Sequence, residues 1–595
     1  MSLPLIPRTY SAATFRSDLI AGATVAAIAI PQAIAYALIA GVDPKFGLYS
    51  AIVITIVASI LGSSSHLING PTNAISLVIF SSLASFDERF SSFQALFLLG
   101  IIAGTIQILI SVLKLGDLTR YVSESVILGF MAGAGLLIGV GQIGNFLGAA
   151  KKGTGDQSVL YRTWLTVSEG WPYNWRAIAL GVATILLVVG FRKLIIKYKL
   201  PKVDMLVGLI IFTLVAVALG WTSAIGPKGK ALVSVVGAVP AALPSFHIPE
   251  ISWDWFGRLI KGALAVSLLG LLEALAVAKS IATYTRQPLD YNRQIIAEGI
   301  GNVVGGFFQS LPGSGSLTRS AINFQSGAVT RASGVYSGII VAIVVILFGP
   351  YARFIPTPVL AGLLFITAAR LIDWKRLGYA IRASKFDAAL VLITAFTAIF
   401  ISVEDSILVG VAASIILFVP RAARPGIREL VVTPERVVRE RLLDDSRETS
   451  LLIYDLEGEA FFGAAPELHK YFAKILDETT RTGIKYVVLR LRRIRNPDAV
   501  AVEHLEQLLH DAEKQGVTVL LAGLRPEFVK ILDNVGLTNW FVKGHIFPEE
   551  QQTFSATLRA VRYAYKLIHE KAVTEGVPTT APALHEDKEP SYYLV

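Results

Sequence analysis

The 595-residue chain has no cysteine, three methionines and eight histidines, and only 16% of its residues are charged. Lack of cysteine excludes disulfides, thiolate metal sites and cysteine nucleophiles, and leaves the redox compartment open. The histidines are scattered without metal-ligand spacing, and no Gly-x-x-x-x-Gly-Lys loop offers a phosphate cradle. The sequence therefore gives no material for an enzyme, a resident cofactor or a metal centre. What it has in excess is apolar surface. Hydrophobic residues make up 53% of the chain and mean hydropathy is +0.59, more than a soluble protein can cover with polar groups.

Those residues come in blocks, such as 206–219, 339–348 with its flanks and 388–401, each suited to crossing about 30 Å of hydrocarbon as a helix. In lipid a helix satisfies its own backbone, so the blocks predict a polytopic α-helical membrane protein of about fourteen spans. The net charge of +10 is clustered between blocks. Arg192, Lys193, Lys197, Lys199 and Lys202 form one group; Arg370, Lys375, Arg376, Arg382 and Lys385 form another. Threading the spans with both termini inside puts these groups, with Lys279, Arg286 and Arg293, on the cytoplasmic face of a cell membrane, as the positive-inside rule requires. Membrane spans separate the clusters, which excludes a continuous nucleic-acid surface. Arg8 and Arg16 precede the first apolar block, which runs through Pro31 and Gln32 without a small-residue cleavage site. It reads as a retained span, not a signal peptide.

Composition divides the chain into a cytoplasmic N-terminal segment (1–18), a transmembrane domain (19–420), a linker (421–435), a soluble domain (436–573) and a disordered tail (574–595). The soluble domain alternates strands and helices: 451–456, 465–480, 486–491, 500–515, 518–522 and 526–535 predict a small α/β sheet. Pro578, Pro582 and Pro590 among Thr, Glu and Asp mark the tail.

The transmembrane domain carries an internal repeat. Leu19-Ile20-Ala21-Gly22-Ala23, Gln32 and Pro71 in the first half are echoed by Leu259-Ile260-Lys261-Gly262-Ala263, Glu273 and Pro312 in the second. Seven spans per half would insert the second upside down relative to the first, the inverted repeat of secondary transporters. Each half also breaks where its third span should start: at Gly70-Pro71-Thr72-Asn73-Ala74-Ile75-Ser76, and at Leu311-Pro312-Gly313-Ser314-Gly315-Ser316-Leu317-Thr318-Arg319-Ser320. Proline suits a first turn but cannot continue a helix from upstream. Both sites therefore read as helices beginning partway across the membrane, where free N–H groups and about half a positive charge each can hold an anion.

Thr72, Asn73, Ala74, Ser314, Gly315, Ser316, Thr318 and Arg319 are the candidate binding residues, with Gln32 and Tyr36 one turn apart on the first span. An arginine at mid-membrane costs at least ~2.5–3.5 kcal/mol and is rarely left without a partner. The alternatives are that Arg319 only pairs with Glu273, or that the breaks are packing kinks. Glu273 lies among Leu271, Leu272, Ala274 and Leu275, where burial favours its neutral form and makes it a candidate proton carrier; the alternative is a hydrogen bond of purely structural use.

Gly22-Ala23-Thr24-Val25, Ile30-Pro31-Gln32-Ala33-Ile34-Ala35-Tyr36-Ala37, Gly47-Leu48-Tyr49-Ser50 and the two breaks resemble the SulP family of anion permeases over nearly the whole chain. The resemblance implies a seven-plus-seven inverted repeat with core and gate domains, alternating access, an anion held between the third and tenth half-helices, and a homodimer. Leu456-Glu457-Gly458-Glu459-Ala460-Phe461-Phe462 and Leu521-Ala522-Gly523-Leu524-Arg525-Pro526 resemble a STAS domain. Two positions depart from the family pattern. Asp498-Ala499-Val500-Ala501 has valine where a phosphorylatable serine is usual, which rules out phosphorylation there. Val277, one turn after Glu273, replaces the threonine that sodium-coupled bicarbonate carriers pair with an aspartate. The expected function is proton-coupled uptake of a small oxyanion, sulfate first; bicarbonate or nitrate uptake, coupled to sodium in one version, and an anion channel or exchanger are the alternatives.

Overall fold

The computed structural model describes the chain apart from residues 1–9, 85, 87–88, 115–122, 151, 154–156, 199–202, 224–230, 238, 286, 288, 434–436, 443–444, 446–449, 540–543, 550–554, 576–592 and 595. Lys199, Lys202, Arg286 and most of the predicted tail thus lie outside the described residues. The chain divides into two units, Met1–Ser414 and Ile415–Val595.

The apolar blocks form helices in an order that repeats. The first half contains α1 (Ala12–Ile39), α2 (Pro44–Leu61), β1 (Asn69–Gly70), α3 (Asn73–Leu83), α4 (Arg89–Val112), α5 (Glu124–Leu147), α6 (Val159–Glu169), α7 (Trp175–Tyr198) and α8 (Asp204–Ala218). The second contains α9 (Trp253–Thr285), α10 (Tyr291–Phe307), β2 (Ser314–Gly315), α11 (Leu317–Gln325), α12 (Ala332–Phe348), α13 (Thr357–Leu371), α14 (Trp374–Ala383), α15 (Lys385–Phe400) and α16 (Val403–Ala422). Among the described residues nine stretches are long and apolar enough to cross a membrane unaided. The shorter α3, α8, α10, α11 and α15 complete a seven-plus-seven set. The sixth helix of each half, α6 or α14, is short and carries exposed aromatic residues, Tyr161 and Trp164 in one and Trp374 and Tyr379 in the other, as befits a helix lying along an interface.

Packing sorts the spans into two groups. Helices α1–α4 and α9–α12 pack on one another as the core, and α5, α7, α8, α13 and α15 do so as the gate; α16 meets this second group where Gly410 lies against Val126 and Thr394. In the core, α4 and α10 cross backbone to backbone. A Cβ on Gly104 would lie 2.4 Å from the Gly299 carbonyl oxygen, and one on Gly299 would lie 2.7 Å from that of Gly104, so glycine on both sides sets the approach. The N-terminus of α1 is tied across the repeat: buried Asp18 accepts hydrogen bonds from the Val329 amide (2.7 Å), the Thr330 amide (3.0 Å) and the Thr330 hydroxyl (2.6 Å). In the gate, Arg192 from the first basic cluster and Arg370 from the second both reach Asp204, at 3.6 and 3.1 Å. The two clusters therefore share one end of the gate.

In the second unit, strands β3 (Gly426–Val432), β4 (Val437–Glu440), β5 (Leu452–Glu459), β6 (Tyr486–Arg495), β7 (Thr518–Leu524), β8 (Ile546–Pro548) and β9 (Tyr593–Leu594) form one sheet in the order β8-β7-β6-β5-β3-β4-β9. Strand β3 runs antiparallel to both neighbours, and the other pairs are parallel. Alternation fills both faces. Leu452, Tyr454, Leu456, Val487, Leu489, Val519 and Leu521 pack with α17 (Ala465–Thr482), α18 (Ala499–Lys514) and α19 (Pro526–Asn534). Ile453, Val488, Leu520 and Ala522 pack with Ala560, Val561, Ala564 and Tyr565 of α20 (Ser555–Glu575). The segment 421–435, read as a linker, supplies β3, which lies inside the sheet because Ile427–Leu430 register against Ile453–Leu456. Within the segment read as a tail, Tyr593 and Leu594 pair with Val437 and Val438.

Candidate anion-binding site

Both breaks in the repeat sit in the core, joined by backbone. Strands β1 and β2 pair antiparallel, Asn69 opposite Gly315 and Gly70 opposite Ser314. Directly after them the two half-helices begin. Thr72 caps α3 by accepting from the Ile75 amide, and Ser316 caps α11 by accepting from the Arg319 amide, each at 3.4 Å. The surroundings fix these starts further: the Ser316 amide donates to the Ile68 carbonyl (2.9 Å), the Ile68 amide to the Ser320 hydroxyl (2.9 Å), and the Thr55 hydroxyl to the Asn69 carbonyl (2.6 Å).

Glu273, mid-way along α9, bridges the two breaks. Its Oε2 accepts from the Ser314 hydroxyl at 2.6 Å and the Thr72 hydroxyl at 3.3 Å. Arg319 is fully buried, and its Nη2 donates to the Pro71 carbonyl at 2.9 Å, tying the second half-helix to the start of the first. Arg319 does not pair with Glu273; its Nε and Nη1 are buried without a hydrogen-bond partner. Gly70 makes room for it. At φ +145° Gly70 occupies backbone space that side chains rarely adopt, and a Cβ there would sit 2.8 Å from Arg319 Nη1.

The remaining candidates divide. Helix α1 packs on both α3 and α11, and buried Gln32 and Tyr36 lie on that stretch; Gln32 Oε1 has no partner, and Tyr36 is near enough to Arg319 and Glu273 to feel both charges. Ala74 is buried, and its amide is taken up by the Asn73 side chain at 3.0 Å. Gly315 lies against α9, where a Cβ would meet the Ala274 Cα at 2.7 Å. Thr318 is exposed and stands outside the hydrogen-bonded cluster. Val277 is buried in an apolar group with Leu67, Ala274, Ala278 and Ile281. A cavity of about 300 Å³ lies apart from these residues, between α1 and α3 on one side and α5 and α6 on the other, with Lys152 and Arg162 in its wall.

The sequence reading missed a second polar group behind the site. Glu298 of α10 is fully buried, and its Oε1 accepts from Gln107 of α4 at 3.2 Å. Gln107 Oε1 in turn accepts from Asn302 at 3.0 Å, and Asn302 exchanges two hydrogen bonds with Gly313 in the second break, 3.0 and 2.9 Å. The available signal was three polar residues within apolar helices, which is costly in a membrane.

Two half-helices begun inside a helical membrane core, with a buried guanidinium and a carboxyl between them, form an arrangement suited to holding a small anion within a membrane. Comparison with known proteins assigns the family. Residues 15–394 match the sulfate permease family and residues 443–553 match the STAS domain, and the chain belongs to the sulfate permease family. It is an anion transporter, not an enzyme. It is 28% identical to Sulfate transporter 1.1 of Arabidopsis thaliana, covering 90% of this chain and 85% of that protein, and 27% identical to High affinity sulfate transporter 1 of Stylosanthes hamata, covering 91% and 83%. Its fold is that of SLC26A9 (TM-score 0.83, 19% identity, 94% of this chain and 92% of that one). The transmembrane domain of the cyanobacterial bicarbonate transporter BicA aligns at TM-score 0.56 and 26% identity, over 68% of this chain and 97% of that one.

Proposed function

We propose that this protein takes up sulfate by alternating access, coupled to protons. The observation that carries the reading is Arg319: a buried guanidinium with two unpartnered N–H-bearing nitrogens at the meeting point of two helix N-termini. Such a group is costly unless an anion joins it, and a sulfate there would also lie at the positive ends of both half-helices. The names of the plant relatives favour sulfate among oxyanions.

Glu273 supplies the coupling. Ionised, it accepts hydrogen bonds from the hydroxyls of Thr72 and Ser314, donors that an anion at the half-helix starts would also use. Protonated, it has less need of them and the hydroxyls turn to the anion. Proton and sulfate then bind together and leave together. The apolar setting of Val277 supports protons over sodium, because it offers no oxygen at that position. Both termini and the STAS domain lie in the cytoplasm, a reading supported by the positive-inside rule applied to the basic residues at the Asp204 end of the gate; the membrane is the cell membrane, and the working form is a homodimer.

The test is uptake of labelled sulfate into liposomes holding the purified full chain. An inward proton gradient should drive accumulation and a sodium gradient should not, with bicarbonate and nitrate competing weakly. Sodium-driven bicarbonate accumulation would replace this reading, and flux that does not saturate would point to a channel.

A further inference from the structure

Glu298 has the surroundings of a neutral carboxyl placed within reach of Glu273. It is fully buried, one amide donor serves Oε1, and Oε2 has no partner. An ionised carboxylate accepts at about four sites and, when buried, needs a cation or several donors. Among the described residues, no cation from the elements packed on α10 pairs with Glu298. From α4 comes the Gln107 amide, held in its orientation by Asn302. From α2 come Ile54 and Ala58, which approach Gly301. From α9 comes Glu273, the titratable group that acts on Glu298.

Glu298 meets α9 at a glycine one turn before Glu273. A Cβ on Gly270 would lie 2.8 Å from Glu298 Oε1 and 3.4 Å from Ser314 Cβ, and Ser314 is the residue that donates to Glu273. The two carboxyls thus flank the same serine.

Charge completes the argument. The surroundings seen here suit the protonated form of Glu298; once both carboxyls have released their protons, Arg319 and two helix N-termini of about +0.5 each bring the empty cluster close to zero. Sulfate adds two negative charges, and the cluster returns to zero only if both carboxyls take a proton. With one proton the buried cluster would carry an uncompensated charge, which low-dielectric surroundings oppose.

We propose that Glu298 is a second proton-bearing carboxyl, so that each sulfate crosses with two protons and no net charge. One proton rides on Glu273 and one on Glu298; both come from water on the entry side and return to water on the exit side. The inference rests on proton-coupled sulfate uptake as proposed above.

Proton and sulfate fluxes measured together in liposomes, with voltage clamped by potassium and valinomycin, test it. The wild type should move two protons per sulfate, and its accumulation should not respond to voltage. Glu298→Gln should still bind sulfate and remain proton-driven, but with one proton per sulfate. Its accumulation ratio should then change about tenfold for each ~59 mV, falling when the inside is negative. Glu298→Asp should keep the voltage-independent behaviour. Two protons per sulfate in Glu298→Gln would overturn the proposal. So would one proton per sulfate in the wild type, a result that needs no variant to fold. Wild-type exchange of sulfate without any proton-driven accumulation would instead remove the underlying coupling reading.

Discussion

The hydroxyl of Ser314 donates to Glu273 Oε2 across 2.6 Å, so the start of the second half-helix and the middle of α9 share one hydrogen bond. If an anion binds at the half-helix starts as proposed, that bond puts a titratable group in direct competition with it for the same donor.

Glu273→Gln should therefore separate binding from coupling. The variant keeps the shape of the side chain and loses titration. Sulfate binding and sulfate–sulfate exchange should survive, whereas accumulation under an inward proton gradient should fall to what the one proton on Glu298 can support. Wild-type uptake should rise as external pH falls, and the variant should rise less over the same range. A variant that concentrates sulfate as far as the wild type does would take Glu273 out of the coupling role.

Arg319→Ala should weaken sulfate binding by roughly ten- to a hundredfold, the equivalent of losing charged hydrogen bonds worth about 1.5–3 kcal/mol. Membrane insertion should be unaffected, since the change removes a costly intramembrane charge. Calorimetry on detergent-purified protein checks this, and unchanged affinity would move the anion site elsewhere.

Gly70→Ala should mimic much of that loss without altering any charge. The new methyl group would meet Arg319 Nη1 at 2.8 Å in a backbone conformation that alanine resists. Sulfate affinity should drop while the yield of inserted protein holds; wild-type affinity would show that Arg319 can move without consequence.

The soluble unit makes its own prediction about pH. Burial lowers the pKa of His545 from its ordinary value of 6.5, so the folded domain prefers the neutral ring. The resulting stability is present above pH 6.5 and is lost as pH falls from there through the folded value. Thermal unfolding of a fragment from residue 424 to the end should show a Tm that declines below that pH, and His545→Phe should flatten the decline. A start at 436 would omit β3 from between β4 and β5 and should yield a less stable fragment.

The membrane architecture was legible because lipid imposes one rule on every span, and the breaks at Pro71 and Pro312 violate that rule visibly. The STAS strands and helices from 451 to 535 were equally plain, since alternation and turn residues are local signals. Strand β3 was not, because its seven residues include Arg428 and Glu429, and only pairing with β5 makes them a strand. Glu298, Gln107 and Asn302 were passed over for a related reason: each is a single polar residue in an apolar helix, and what joins them is the crossing of α4 over α10 at Gly104 and Gly299. Asp498, read through a phosphorylation pattern, serves the fold here. It caps α18 through the Ala501 amide at 2.9 Å and holds the Phe462 amide at 2.6 Å.

The pairing of Asn69–Gly70 with Ser314–Gly315 bears on how any cycle of access could run. Because main-chain hydrogen bonds join the two half-helix starts, opening the site by drawing the halves of the repeat apart would break a sheet in a medium with no water to replace it. The pocket must therefore keep its shape while its surroundings change. Both half-helices, Glu273 and the bound ion would shift as one piece past α5 and α13, and selectivity would be the same whichever side of the membrane the ion came from.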